Sequence, residues 1–257
     1  MTSVSLTTSQ IEQHRKEFPF LEGKAYFNYG GQGTMPRAAI ATLHQAHDRF
    51  QELGPFSGAA NQWLTQEADL TRAAIAQTLG TTSDTMTLTE DVSVGCNIAL
   101  WGIDWTPNDH ILLTDCEHQG IIAAVHEIQR RVGLEVSVCP VLATLNEGDP
   151  VQVIQDALKP NTRLVVLSHI LWNTGQVLPL EEIVSVCRSR SVHVLVDAAQ
   201  SVGSLPLNLT ELGADFYAFT GHKWWCGAAG VGGLYVRPDV RESLHPTFIG
   251  WRSVITN

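Results

Sequence analysis

Short apolar, β-branched runs recur along this chain with stretches of helical period between them, and that alternation most narrows the fold. Strands written as nearly unbroken apolar segments are buried on both faces, which requires helices above and below a largely parallel sheet. The pattern predicts strands over Thr85–Thr89, Ile111–Thr114, Leu134–Val138, Leu164–Ser168, Val192–Val196, Phe216–Phe219 and Gly232–Val236. It predicts helices over Pro36–Leu53, Gln62–Leu79, Val94–Trp101, Gln119–Val132, Val151–Leu158 and Leu180–Arg190. Pro36 at a helix start, Gly54 and Gly80 after helices, and a loop from Asn146 to Pro150 supply the punctuation.

The 257 residues suit one large domain or two modest ones, and a 44% hydrophobic content is enough for a sizeable core. Acidic residues outnumber basic ones 26 to 16, a net charge of −10, with no run of Lys and Arg. That balance argues against nucleic acid or a membrane surface as the main partner and leaves small molecules. Met1 to Gln10 lacks a basic segment followed by an apolar one, and no stretch is long and apolar enough to span a bilayer, so a cytoplasmic location is expected. Five cysteines, an odd number with no CxxC pair, indicate neither a disulfide framework nor a zinc ribbon and fit a reducing compartment.

Ligands of an open parallel sheet sit beyond the carboxyl ends of its strands. There this sequence places Asp115 to His118, Ser168-His169 with Trp172-Asn173, Asp197 to Gln200, and Thr220 to Lys223. No P-loop is present, and Pro36 and Tyr235 interrupt the two partial G-x-G-x-x-G matches. His44 and His47 share a helix without a third ligand, so no metal is expected. Ser93 in Asp91-Val-Ser-Val-Gly95 approaches a nucleophile elbow but lacks its first glycine, which disfavours an α/β hydrolase.

Lys223 lies in an apolar, aromatic stretch, Tyr217 to Cys226, where the neutral amine is favoured over the ammonium. A desolvated amine of this kind forms Schiff bases, although an isolated lysine after a strand is more often a surface residue. Asp197 ends an apolar strand, where a carboxylate can keep a pyridine nitrogen protonated; the alternative is a helix cap. The helix that opens at Val92-Ser93 offers free amides and a hydroxyl to a phosphate. His118 is placed to lie on a pyridine ring, or to serve as a cap or core residue, and His169 and Trp172 read as pocket wall or core.

The runs Val196 to Ser201 and Thr220 to Lys223, the Glu117-His118 pair, Ser93 to Asn97 and the Asn173-Thr-Gly175 turn together resemble the class V pyridoxal-phosphate enzymes of the cysteine desulfurase type. The resemblance extends from about Tyr26 to Trp251. It implies the aspartate-aminotransferase-like fold, fold type I: a PLP-binding large domain with a seven-stranded, mostly parallel sheet and helices on both faces. It implies pyridoxal 5'-phosphate as cofactor and a homodimer. Residues 1–35 become a segment lining the active site, with Asn28 to Gly31 on the substrate side, and 36–257 the large domain. The family's small C-terminal domain, with its substrate-carboxylate arginine and its sulfur-accepting cysteine, is expected to be absent from this chain.

By the same resemblance Lys223 is the Schiff-base lysine, Asp197 the partner of the pyridine nitrogen and His118 the residue stacked on the ring. Gln200 would donate to the ring phenolate oxygen and Asn173 would contact it. Val92, Ser93, Thr220 and His222 would hold the phosphate. Desulfurases continue the lysine motif with an apolar residue, Tyr or Leu, and Gly-Pro; here Trp224-Trp225-Cys226-Gly227 is more similar to the lyase and epimerase branches and predicts an aromatic wall. The implied activity is a carbon-sulfur lyase acting on cystine or cysteine by β-elimination, giving pyruvate, ammonia and a persulfide or sulfide usable by a sulfur-accepting iron-sulfur protein. A desulfurase making alanine and an enzyme persulfide, with Cys226 as acceptor, is the alternative.

Overall fold

The computed structural model describes residues 6–250; the first half of the Met1–Gln10 segment and Trp251, where the resemblance ends, lie outside the described residues. Strands and helices alternate: α1 (Thr8–Lys16), α2 (Arg37–Leu53), α3 (Gly58–Thr78), β1 (Met86–Thr89), α4 (Val92–Gly102), β2 (His110–Thr114), α5 (Gln119–Val132), β3 (Glu135–Cys139), α6 (Pro150–Ala157), β4 (Thr162–Ser168), α7 (Leu180–Ser189), β5 (His193–Asp197), α8 (Leu209–Leu212), β6 (Phe216–Thr220) and β7 (Gly232–Val236). The strands form one sheet in the order β1-β7-β6-β5-β4-β2-β3, with β7 antiparallel to both neighbours and the remaining pairs parallel.

The sheet is covered on both faces, and the period-2 alternation of the strands sorts their side chains. Leu112, Val165, Val194 and Tyr217 pack toward α3, α6 and α7, whereas Ile111, Val166, Leu195 and Ala218 pack toward α4 and α5. At Gly95 an added Cβ would stand 2.9 Å from the Ala218 side chain, so α4 rides close on β6 because this position carries no side chain. α5 ends at Gly133, whose φ of +82° is the left-handed conformation that closes a helix.

The chain runs from β2 outward to β3 and then returns to the other side of β2 as β4. A crevice therefore opens between the carboxyl ends of β2 and β4, the switch point at which such sheets bind ligands. Sequence reasoning missed α1, which buries no residue and so shows no apolar period. Its one signal is the reciprocal cap of Thr7 and Gln10.

Candidate active site

A cavity of about 390 Å³ lies at that edge, lined by residues from after β2, β4, β5 and β6, from the start of α4, and by Gly30 and Gly31. It brings together Val92, Ser93, His118, Asp197, Gln200, Thr220, His222 and Lys223, eight of the nine expected cofactor-binding residues.

Asn173 is the exception: it is exposed and does not line the cavity. The chain after β4 makes a tight turn, in which the Gly175 amide donates to Leu171 O at 2.8 Å, and the turn presents Trp172 to the cavity instead. Burial raises the Cys116 thiol, and the Asn173 side chain beside it opposes that shift only in part. The Trp172 ring stands edge-on to that of His118 at 6.0 Å, so Trp172 is wall. His169 is core: it is buried, its Nδ1 is 2.9 Å from the Tyr217 hydroxyl, and burial pulls its imidazole down to about 4.

Asp197 ends β5 in register with Ser168 of β4, and both line the cavity. Its Oδ1 accepts the Ala199 amide at 2.9 Å, so the alternative cap role is filled by one oxygen alone. Burial pushes the carboxyl up, opposed by that amide and by the charges of Lys223 and His118. For Lys223, burial lowers the ammonium and Asp197 draws it back. The amine and the carboxylate thus act on one another across the cavity.

His118 fills two of the roles its sequence position allows. Its Nδ1 accepts the Gly120 amide at 3.2 Å and caps α5, while its ring forms part of the cavity wall. A nitrogen that accepts carries no proton, so the neutral ring bears its hydrogen on Nε2. Asp91 caps α4 by accepting the Val94 amide at 2.9 Å, leaving the amides of Val92 and Ser93 at the cavity edge beneath the positive end of the helix. Thr220 Oγ1 and His222 Nδ1 are 2.6 Å apart on the same side, and His222 is lowered by burial and by Lys223.

Gln200 is held at both ends of its amide. Nε2 donates to Gly30 O at 3.0 Å, and Oε1 accepts the Trp224 indole N–H at 2.7 Å. Indole N–H only donates, which fixes the amide orientation and leaves one Gln200 hydrogen for a ligand. Trp224 stacks on Tyr29 at 6.0 Å, and Trp225 packs edge-on against Phe219 at 5.4 Å. Neither tryptophan lines the cavity, so the expected aromatic wall is a buttress behind it. The Gly33 amide donates to His222 O at 2.7 Å, and a Cβ there would meet the Lys223 carbonyl at 2.0 Å. Only glycine lets the N-terminal segment close on the lysine loop.

Glu117 is the group that sequence reasoning undervalued. It is buried behind the cavity, and burial pushes its carboxyl up to about 8. Nothing in the local sequence shows this, because its partners include Ser168 of another strand.

An amine, a buried carboxylate and a helix N-terminus converge at the switch point of this sheet, as in α/β proteins that bind a ligand there. The chain belongs to the aminotransferase class-V family, which matches residues 26–256. It is similar to the cystine C-S lyase C-DES in complex with its reaction product cysteine persulfide, at 52% identity and a TM-score of 0.92, covering 93% of this chain and 64% of that one. A C-DES variant with glycine covalently linked to its PLP cofactor matches at 52% identity and a TM-score of 0.92, over 95% of this chain and 64% of the other. A probable cysteine desulfurase of Methanothermobacter thermautotrophicus is 28% identical over 96% of this chain and 61% of its own length. This chain therefore spans a little under two thirds of these relatives.

Proposed function

We propose that the cavity binds pyridoxal 5'-phosphate and that the protein is a carbon-sulfur lyase for cystine or cysteine. The observation that carries this reading is the placement of Lys223 and Asp197, which act on one another across one cavity. The residues fit the cofactor end by end. Val92, Ser93, Thr220 and His222 offer amides and hydroxyls for a phosphate, Asp197 offers a carboxylate oxygen for a ring N–H, and Lys223 offers the amine. Bound there, pyridoxal phosphate would supply an electron sink conjugated to the substrate α-carbon.

The protein's own groups do the remaining work. Lys223 Nζ would be the amine that holds the cofactor, and as a free amine beside the substrate it would take the α-proton, a role its lowered basicity suits. Asp197 would keep a proton on the ring nitrogen, and His118, fixed as the cap of α5, would hold the ring. Loss of the β-sulfur with both electrons then splits cystine and one water into cysteine persulfide, pyruvate and ammonia.

A desulfurase instead needs a thiolate to attack the substrate sulfur. All five cysteines of this chain have thiols pushed up by burial, Cys226 among them, and Cys226 does not line the cavity. Its thiol hydrogen points to Trp224 O at 3.5 Å. This argues against Cys226 as the acceptor, and the C-DES likeness is what favours elimination. Residues up to 35 we read as the segment that closes the site and 36–257 as the cofactor domain. A homodimer, a cytoplasmic location and delivery of sulfur to an iron-sulfur protein extend the same reading. No helix among the described residues is long and apolar enough to cross a membrane. Product analysis with cystine tests the reading: pyruvate with ammonia supports it, and alanine as the main product moves the assignment to desulfurase.

A further inference from the structure

Glu117 is a second buried carboxyl at the carboxyl edge of the sheet, and the elimination chemistry makes no use of it. Leaving the end of β2, it reaches across the switch point to β4. Its Oε1 accepts the Thr114 hydroxyl at 2.5 Å and the Ser168 amide at 3.0 Å, and its Oε2 is paired at 2.9 Å with the Ser168 hydroxyl, which donates to a charged carboxylate and can accept from a protonated one. Two donors occupy Oε1, so a proton on this carboxyl belongs at Oε2. Ser168 in turn lines the cavity.

The titratable groups that face Glu117 are Asp197 from β5, Cys96 from α4, Cys116 beside it and Cys139 from the end of β3, and all of them are acids. The basic groups of the cavity, Lys223 and His118, act on Asp197. Two carboxylates buried within reach of one another's charge do not both ionise readily, and the one that faces the Lys223 ammonium keeps the charge.

We propose that Glu117 is held as a neutral carboxylic acid and is a positioning residue of the cavity: it carries the proton of the buried pair, leaves the negative charge on Asp197, and donates its O–H to Ser168 so that the Ser168 hydroxyl hydrogen turns into the cavity. The proton comes from solvent as the chain folds. The consequence for catalysis, a charged Asp197 beneath the ring nitrogen, rests on the reading of the cavity as a pyridoxal-phosphate site; the state of Glu117 does not.

Glu117→Gln tests this because a glutamine amide reproduces the neutral acid: its carbonyl accepts from Thr114 and from the Ser168 amide, and its NH2 donates to Ser168. A group whose folded value lies above its unfolded one is stabilising below the unfolded value, and that contribution is lost as pH rises to the folded value. The folded-to-unfolded ratio of the unsubstituted chain should fall relative to Glu117→Gln from the ordinary glutamate range, about 4.3, up to about 8, by at most about tenfold per pH unit. A ratio that stays constant over that window overturns the proposal. Should the variant not fold, infrared spectra of the unsubstituted chain with 13C-labelled glutamate decide. A protonated, buried glutamate carbonyl at pH 7 that titrates away toward pH 9 supports the proposal, and its absence overturns it. Both measurements are made with pyridoxal phosphate bound and after its removal, so a chain that fails to bind the cofactor yet shows the protonated glutamate separates failure of the site reading from failure of this one.

Discussion

Asp197 and Asp215 are aspartates buried at opposite ends of the same sheet, and the fold treats them differently. Asp215 precedes β6 and is enclosed by protein partners: His193 Nδ1 at 3.1 Å, the Val194 amide at 2.8 Å and Arg237 Nη2 at 2.6 Å. Burial raises its carboxyl, but those partners outweigh burial and hold it below the ordinary aspartate value. Asp197 is as well hidden, accepts one amide, and is raised. A buried carboxylate whose lone pairs are filled by the chain fastens strands together. One whose second oxygen borders a cavity is kept for a ligand, and the fold accepts the cost.

The largest effect should come from the cavity end. Lys223→Ala should abolish turnover of cystine, measured as pyruvate release, because none of the three other lysines is near: Lys159 pairs with Glu135 on the surface and Lys24 lies over Phe20. Residual activity within roughly tenfold would place the chemistry elsewhere. Asp197→Asn keeps the shape and removes the charge. Cofactor should still bind by absorbance while turnover falls roughly 10²- to 10⁴-fold.

The other aspartate should respond in stability, with turnover left alone. Asp215→Asn leaves Arg237 with Asp239 alone as its carboxylate and should cost about 1 to 3 kcal/mol in denaturant unfolding, with the folded fraction turning over normally. The sign with pH follows from the lowered carboxyl: its contribution is present above the unfolded value near 3.9 and is lost as pH falls through the lower folded value. Unfolding of Asp215→Asn should therefore be less sensitive to acid than that of the unsubstituted chain. If Asp215→Asn abolished turnover in folded protein, the contrast between the two sites would collapse. The smallest effect is expected for Cys226→Ala, whose pyruvate yield from cystine should stay within about twofold, since a raised thiol that does not line the cavity is a poor nucleophile there. Loss of sulfur release with cofactor binding intact would restore the desulfurase alternative.

Much of this architecture is legible in the amino-acid sequence. Mostly apolar runs are what strands look like when covered on both faces, and the two edge strands, β1 and β3, show instead an alternation of polar and apolar residues, so all seven strands can be read, their ends shifted by a residue or two. Polar residues just after strand ends mark the cavity for the same reason, since the pleat leaves nothing else to face the crevice. Three features are hidden from such a reading. The turn after β4 decides between Trp172 and Asn173 through backbone geometry, which residue identity does not encode. The Gln200 to Trp224 hydrogen bond joins residues 24 apart and converts an expected wall into a support. Glu117 carries an ordinary side chain in an extraordinary place, and burial, a property of the assembled sheet, is what changes its chemistry.

The central claim is that Lys223 is the amine that holds the cofactor. Incubation of the purified chain with pyridoxal phosphate, reduction with borohydride and peptide mass spectrometry test it most directly. The pyridoxyl group should be found on Lys223 and be missing from Lys16, Lys24 and Lys159. Stoichiometric labelling of any of those three, or an unlabelled Lys223, would contradict the account.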